Sequence, residues 1–145
     1  MIKKVHHVGV VVRDMEQAMR FYRDALGLHV HKTQTIQEQG VNAALLTLGD
    51  SEIELLEPIV PDTGIKRFLD RKGEGLHHVC FEVDDIERDL TALKARGTEM
   101  IDQVTRIGIA GRICFLHPTA VAGTLVELCQ PLEDDEAPGA AGAAE

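Results

Sequence analysis

The chain is written twice. The segment HHVGVVVRDMEQAM, beginning at His6, reappears as HHVCFEVDDIERDL beginning at His77, and aligns His7 with His78, Val12 with Val83, Asp14 with Asp85 and Glu16 with Glu87. Further along, IELLEP at 53–58 matches VELCQP at 126–131, pairing Glu54 with Glu127 and Pro58 with Pro131. The small drift between the two alignments is absorbed by a longer loop around His117 to Gly123. Such a repeat constrains architecture before any single residue does, because each copy folds as one unit and stacks on its neighbour to bury its apolar face.

Each copy reads as a βαβββ module. An opening strand (Lys4 to Val12; Leu76 to Val83) ends at an Asp placed to cap a helix. In copy one Met15, Ala18, Met19, Tyr22 and Leu26 recur at helical spacing and Gly27 ends the helix; in copy two the stripe is Ile86, Leu90 and Leu93, and Gly97 ends it. Three strands are expected after each helix: about 28–35, 41–48 and 52–57 in the first copy, and 98–106, 112–117 and 124–129 in the second. Gly49 and Asp50 form a tight hairpin turn. A short amphipathic helix around Ile65, Phe68 and Leu69 joins the copies. The fold class expected is α+β, a tandem pair of βαβββ modules forming a curved mixed sheet around a central metal cavity. The expected organisation is one domain over 1–132, with module one at 1–60, a connector at 61–75 and module two at 76–132.

The duplication also picks out chemistry. A lone strand histidine is more often a packing or surface residue than a ligand. Here His7 and His78 are equivalent, as are Glu54 and Glu127, so an axis relating the modules brings like residues toward a common centre. A carboxylate on an apolar strand costs several kcal/mol to bury without a partner. Two imidazoles and two carboxylates suit a six-coordinate divalent ion with two positions open. Catalytic zinc usually keeps three protein ligands, so this set leans toward Co²⁺, Mn²⁺ or Ni²⁺, with Zn²⁺ as the alternative. His6 and His77 are expected on the opposite strand face as packing or supporting residues, Glu57 in solvent, and His29, His31 and His117 at the surface or in loops.

Composition excludes several classes of partner. Net charge is −9, and more than half of that excess lies in EDDEAPGAAGAAE at 133–145, a stretch too poor in large apolar side chains to offset its ordering entropy and therefore expected to be a disordered tail. A mildly acidic body argues against nucleic acid and anionic membranes. No run approaches the ~20 apolar residues of a bilayer span. Cys80, Cys114 and Cys129 are odd in number, lie in apolar runs and lack a CxxC spacing, which reads as buried free thiols in a reducing cytoplasm.

From Val5 to Gln130 the segments HHVGVVVRDMEQAMRFYRDALGL, EQGV, LGDSEIELLEP, KGEGLHHVCFEVDDI, RIGIAGRICFLHP and GTLVELCQ resemble, in order, the vicinal oxygen chelate superfamily and within it the methylmalonyl-CoA epimerases. The resemblance implies paired βαβββ modules, a homodimer, an acyl-CoA substrate and a divalent metal at His7, Glu54, His78 and Glu127. It further implies interconversion of (2R)- and (2S)-methylmalonyl-CoA through an enolate, the metal chelating the 1,3-related carboxylate and thioester oxygens, with Glu127 as an acid/base. Some members carry a second catalytic glutamate in an EQGVxE pattern, where this chain has Ala43; a water held by the metal or a carboxylate such as Glu38 is then left for the other face. The family's HPK segment reads His117, Pro118, Thr119 here, so a lysine is missing, and Arg106 and Arg112 are candidate phosphate or carboxylate contacts. Glyoxalase I (lactoylglutathione lyase) shares the architecture and a similar metal site and is the nearest alternative. Metal-free drug-binding resistance proteins of the same fold lack the four ligands that this chain retains.

Overall fold

The computed structural model describes residues 1–133; the tail expected at 133–145 falls, but for Glu133, outside them. The elements follow the duplicated pattern. The first copy gives β1 (Ile2–Val11), α1 (Met15–Met19), β2 (His29–Ile36), β3 (Val41–Leu48) and β4 (Ser51–Pro58). After the connecting helix α2 (Gly64–Lys72) the second gives β5 (Gly75–Val83), α3 (Ile86–Ala95), β6 (Arg106–Gly108), β7 (Gly111–Leu116) and β8 (Val126–Gln130). No described helix is long and apolar enough to cross a membrane.

Contacts divide the described chain into two units, residues 8–77 and residues 1–7 with 78–133, so that β1 contributes one half to each. In the unit 8–77 the strand order is β2-β3-β4-β1, antiparallel from β2 to β4, with Ala43 opposite Gln34 on one side and Leu56 on the other. Its core is Val12, Met19, Ala44, Leu46 and Leu55. In the other unit the order is β1-β5-β8-β7-β6, with β5 and β8 parallel and β8, β7 and β6 antiparallel. Val83, Ile86, Leu90, Cys114, Leu116 and Leu128 form its main core, which buries the predicted face of α3. The three cysteines are free and buried, as expected.

Asp14 and Asp85 cap their helices as expected, and Thr63 caps the connecting helix in the same way. Asp14 Oδ1 accepts from Gln17 N at 3.0 Å, Asp85 Oδ1 from Arg88 N at 3.1 Å and Thr63 Oγ1 from Lys66 N at 3.2 Å, each satisfying a backbone donor that the first helical turn leaves open.

Three local expectations are corrected. The first helix widens into a π-helical stretch, Arg20–Ala25, where Leu26 N donates to Phe21 O; the extra residue per turn rotates Leu26 off the apolar stripe, and it is exposed. The strand expected at 98–106 shrinks to Arg106–Gly108 and a bridge from Met100 to Leu116. There the Asp102 carboxylate takes the ladder's place, accepting from Phe115 N at 2.8 Å and from Arg106 Nε at 3.1 Å. Glu57 is not simply solvated: its carboxylate accepts from Met15 N at 2.7 Å and Asn42 Nδ2 at 3.0 Å, tying β4 to the start of α1.

Candidate metal centre

Three strands of the unit 1–7 with 78–133 converge at one point. His7 lies on β1, His78 on β5 and Glu127 on β8, and all three are buried. On β5 the buried side chains alternate, His78 then Cys80, and the parallel register sets Cys80 beside Glu127 on β8. His7 Nε2 stands 3.1 Å from His78 Nε2 and 3.0 Å from Glu127 Oε1, and His78 Nε2 stands 3.3 Å from the same oxygen. The imidazoles meet edge to face, with ring planes at 87°.

These contacts are close, yet Glu127 Oε1 is fully buried and meets no hydrogen-bond geometry. The distances satisfy an ion pair and the angles do not satisfy a hydrogen bond; the angles carry more weight, since an N–H aimed at Oε1 would be more linear. Three lone-pair atoms in a near-equilateral triangle fit a cation at a shared focus. Cis ligands on an octahedral ion with ~2.1 Å bonds stand ~3.0 Å apart, and ligands on a tetrahedral ion ~3.4 Å apart. The triangle lies nearer the octahedral spacing, and the residues fit a divalent ion.

Burial by itself raises the Glu127 carboxyl, but His7 and His78 beside it outweigh burial and hold it well below the usual carboxylate range. Burial pushes the Cys114 thiol up to about 12, and the Cys80 thiol is raised by burial and by its neighbours Cys129 and Glu127, so both remain neutral sulfurs.

The remaining predicted site residues are placed as follows. Glu54 is buried on β4 of the unit 8–77, opposite Leu45. Ala43 is buried on β3, and Glu38 is exposed in the turn before it. Of the two arginines, Arg106 lies over the Phe115 ring, whose edge meets His78, while Arg112 donates to Thr105 Oγ1. His117 caps the short helix Pro118–Ala120, accepting from Thr119 N. His77 packs edge to face on Phe68, a packing role as expected.

Two histidines depart from expectation. His6 does not turn away from His7: its Nδ1 is 2.8 Å from His7 Nδ1, and it is buried. His31 sits where the β2–β3 register slips between Val30 and Lys32, and its Nδ1 meets Glu52 Oε2 at 2.8 Å, a pair almost closed to solvent. The period-two pattern held a signal for the second pair, because Glu52 falls on the same face of β4 as Glu54.

Residues 6–115 match the family described as Glyoxalase/Bleomycin resistance protein/Dioxygenase superfamily. Mitochondrial methylmalonyl-CoA epimerase from Mus musculus is 40% identical over 129 residues, 88% of this chain and 72% of that protein. Ethylmalonyl-CoA/methylmalonyl-CoA epimerase from Cereibacter sphaeroides is 38% identical over 133 residues, 90% of this chain and 99% of that protein. A solved methylmalonyl-CoA epimerase in complex with methylmalonyl-CoA and NH4+ superposes with a TM-score of 0.89 at 32% identity, covering 95% of this chain and all of that one. The chain belongs to the glyoxalase/bleomycin resistance protein/dioxygenase superfamily and, within it, to the methylmalonyl-CoA epimerase family.

Proposed function

We propose that this chain is a metal-dependent epimerase that interconverts (2R)- and (2S)-methylmalonyl-CoA. The observation that carries the reading is the triangle of His7, His78 and Glu127 donor atoms at 3.0, 3.1 and 3.3 Å, buried, and found in a chain so similar to proteins named for that reaction. His7, His78 and Glu127 hold the ion, and Glu54 joins them as the fourth ligand; its repeat equivalence to Glu127 and its burial on an apolar strand support that role. Co²⁺ is the ion proposed, on the mixed N and O donors and the octahedral spacing, with Mn²⁺, Ni²⁺ and Zn²⁺ as alternatives.

A divalent ion bound there supplies Lewis acidity to a thioester carbonyl, lowering by several kcal/mol the cost of removing the neighbouring C–H proton. The protein does the rest. His7 and His78 present Nε2 lone pairs from positions closed to water, and Glu127, kept ionised, offers as proton acceptor the carboxylate oxygen outside the triangle. Arg106, over the Phe115 ring that packs against His78, is the arginine proposed to receive substrate charge. Three buried free thiols support a reducing compartment, the cytoplasm, and the resemblance supports a homodimer, which light scattering on the eluted protein will test.

The test is isotopic. Purified protein loaded with Co²⁺ and given (2S)-methylmalonyl-CoA in D₂O is expected to place deuterium at C2 and to produce the 2R epimer. Absence of exchange, with turnover of the methylglyoxal–glutathione hemithioacetal, would replace this reading with glyoxalase I.

A further inference from the structure

Adjacent residues of a regular strand point to opposite faces, so two neighbouring imidazoles should not meet. In β1 they do. Its burial pattern slips at this point: His6 and His7 are both buried, and from there the fully buried positions are Gly9 and Val11, in phase with His7 rather than His6. The rings cross at 83°, and their Nδ1 atoms face each other at 2.8 Å, too close for two lone pairs or two N–H groups. One proton lies between them, and its owner decides what His7 can do.

A neutral imidazole carries one proton. If His7 is protonated at Nε2, that atom faces His78 and Glu127 as an N–H and has no lone pair for a cation. If His7 is protonated at Nδ1, it donates to an unprotonated His6 Nδ1, and Nε2 is left bare toward the triangle. Around His6, a ring nitrogen lies within 4.8 Å of Cys80 Sγ and Cys129 Sγ.

We infer that His6 is a positioning residue: as hydrogen-bond acceptor for His7 Nδ1–H, it holds His7 in the tautomer that can ligate a metal. This rests on the metal reading given above and goes beyond it, since nothing in the repeat requires it. The equivalent neighbour of His78 is His77, which packs on Phe68 instead.

Groups that orient a metal-ligating histidine typically change affinity by about 10- to 100-fold. The experiment is calorimetric titration of the metal-free full chain with Co²⁺, comparing the unaltered protein with His6→Leu, which removes the acceptor, and His6→Asn, whose Oδ1 occupies the place of Nδ1. His6→Leu is expected to weaken Co²⁺ binding by 10- to 100-fold, and His6→Asn to stay within about threefold of the unaltered protein. Equal affinity for His6→Leu overturns the inference while leaving the metal reading intact. An equal loss in both variants also overturns it, since packing and not the acceptor would then matter. No binding by the unaltered protein overturns both readings. Should His6→Leu fail to fold, imidazole ¹⁵N NMR of the unaltered Zn²⁺-loaded protein decides. His7 protonated at Nδ1 and His6 bare at Nδ1 is expected, and a proton on His6 Nδ1 refutes it.

Discussion

Gly111 opens β7, the strand whose Phe115 pairs with Glu127, so its backbone is coupled to the placement of one proposed ligand. Its φ is +116°, and a Cβ there would lie 2.5 Å from Gln130 O and 2.8 Å from Pro131 Cα, both backbone atoms. Gly97 has φ +82° and nothing within 4 Å of its added Cβ. Alanine at either position meets the left-handed penalty of about 1–2 kcal/mol. Only Gly111→Ala adds a collision with main chain that no rotamer can relieve, of order 1–3 kcal/mol more. The totals are about 2–5 kcal/mol for Gly111→Ala and about 1–2 for Gly97→Ala, or roughly 5–15 °C and 3–6 °C in melting temperature for a chain of this length. Urea unfolding of the metal-free protein measures both. Co²⁺ affinity should fall with Gly111→Ala, because the collision pushes on the end of β8, and hold with Gly97→Ala. Equal destabilisation by the two substitutions would refute the reasoning.

Other consequences follow from buried polar pairs and shifted thiols and carboxyls. His31→Ala takes the 2.8 Å partner from a carboxylate that is 3% exposed and should cost about 3 kcal/mol in urea unfolding; a further Glu52→Gln should recover a good part, and strict additivity would contradict the coupling. Because the folded Cys114 thiol titrates near 12, above its unfolded value of 9.0, its contribution to stability is complete below pH 9 and lost as pH rises toward 12. Cys114→Ala should flatten that alkaline decline in unfolding free energy measured against pH. Glu127 behaves oppositely: its depressed folded value means stability present above about pH 4.5 and lost as pH falls below it. Metal-free Glu127→Gln should therefore show a shallower acid limb in the same measurement.

The fold was legible because duplication aligned whole segments, so Asp14 and Asp85, or Glu54 and Glu127, corroborated one another where either alone would be ambiguous. It failed where one copy had a feature of its own. The π-helical stretch 20–25 leaves no mark on a period-3.6 reading, and Leu26 was counted on a stripe it does not join. Asp102 looked like a residue within a strand, because a side chain that substitutes for ladder hydrogen bonds has no sequence signature. His7, His78 and Glu127 could be selected from the repeat, and the structure brings their donor atoms together. His6 and His31 could not: in β1 two consecutive side chains, His6 and His7, are buried where strict alternation sends one of them out, and His31 sits where the β2–β3 register slips. Ala43 is buried, and its strand position offers no proton carrier.

Three buried donor atoms from β1, β5 and β8 are the proposed seat of a divalent ion. Metal content after Co²⁺ loading and gel filtration tests it most directly, in the unaltered chain and in His78→Ala. One ion per chain is predicted for the first and loss of stoichiometric metal for the second; full occupancy in His78→Ala would place the ion elsewhere.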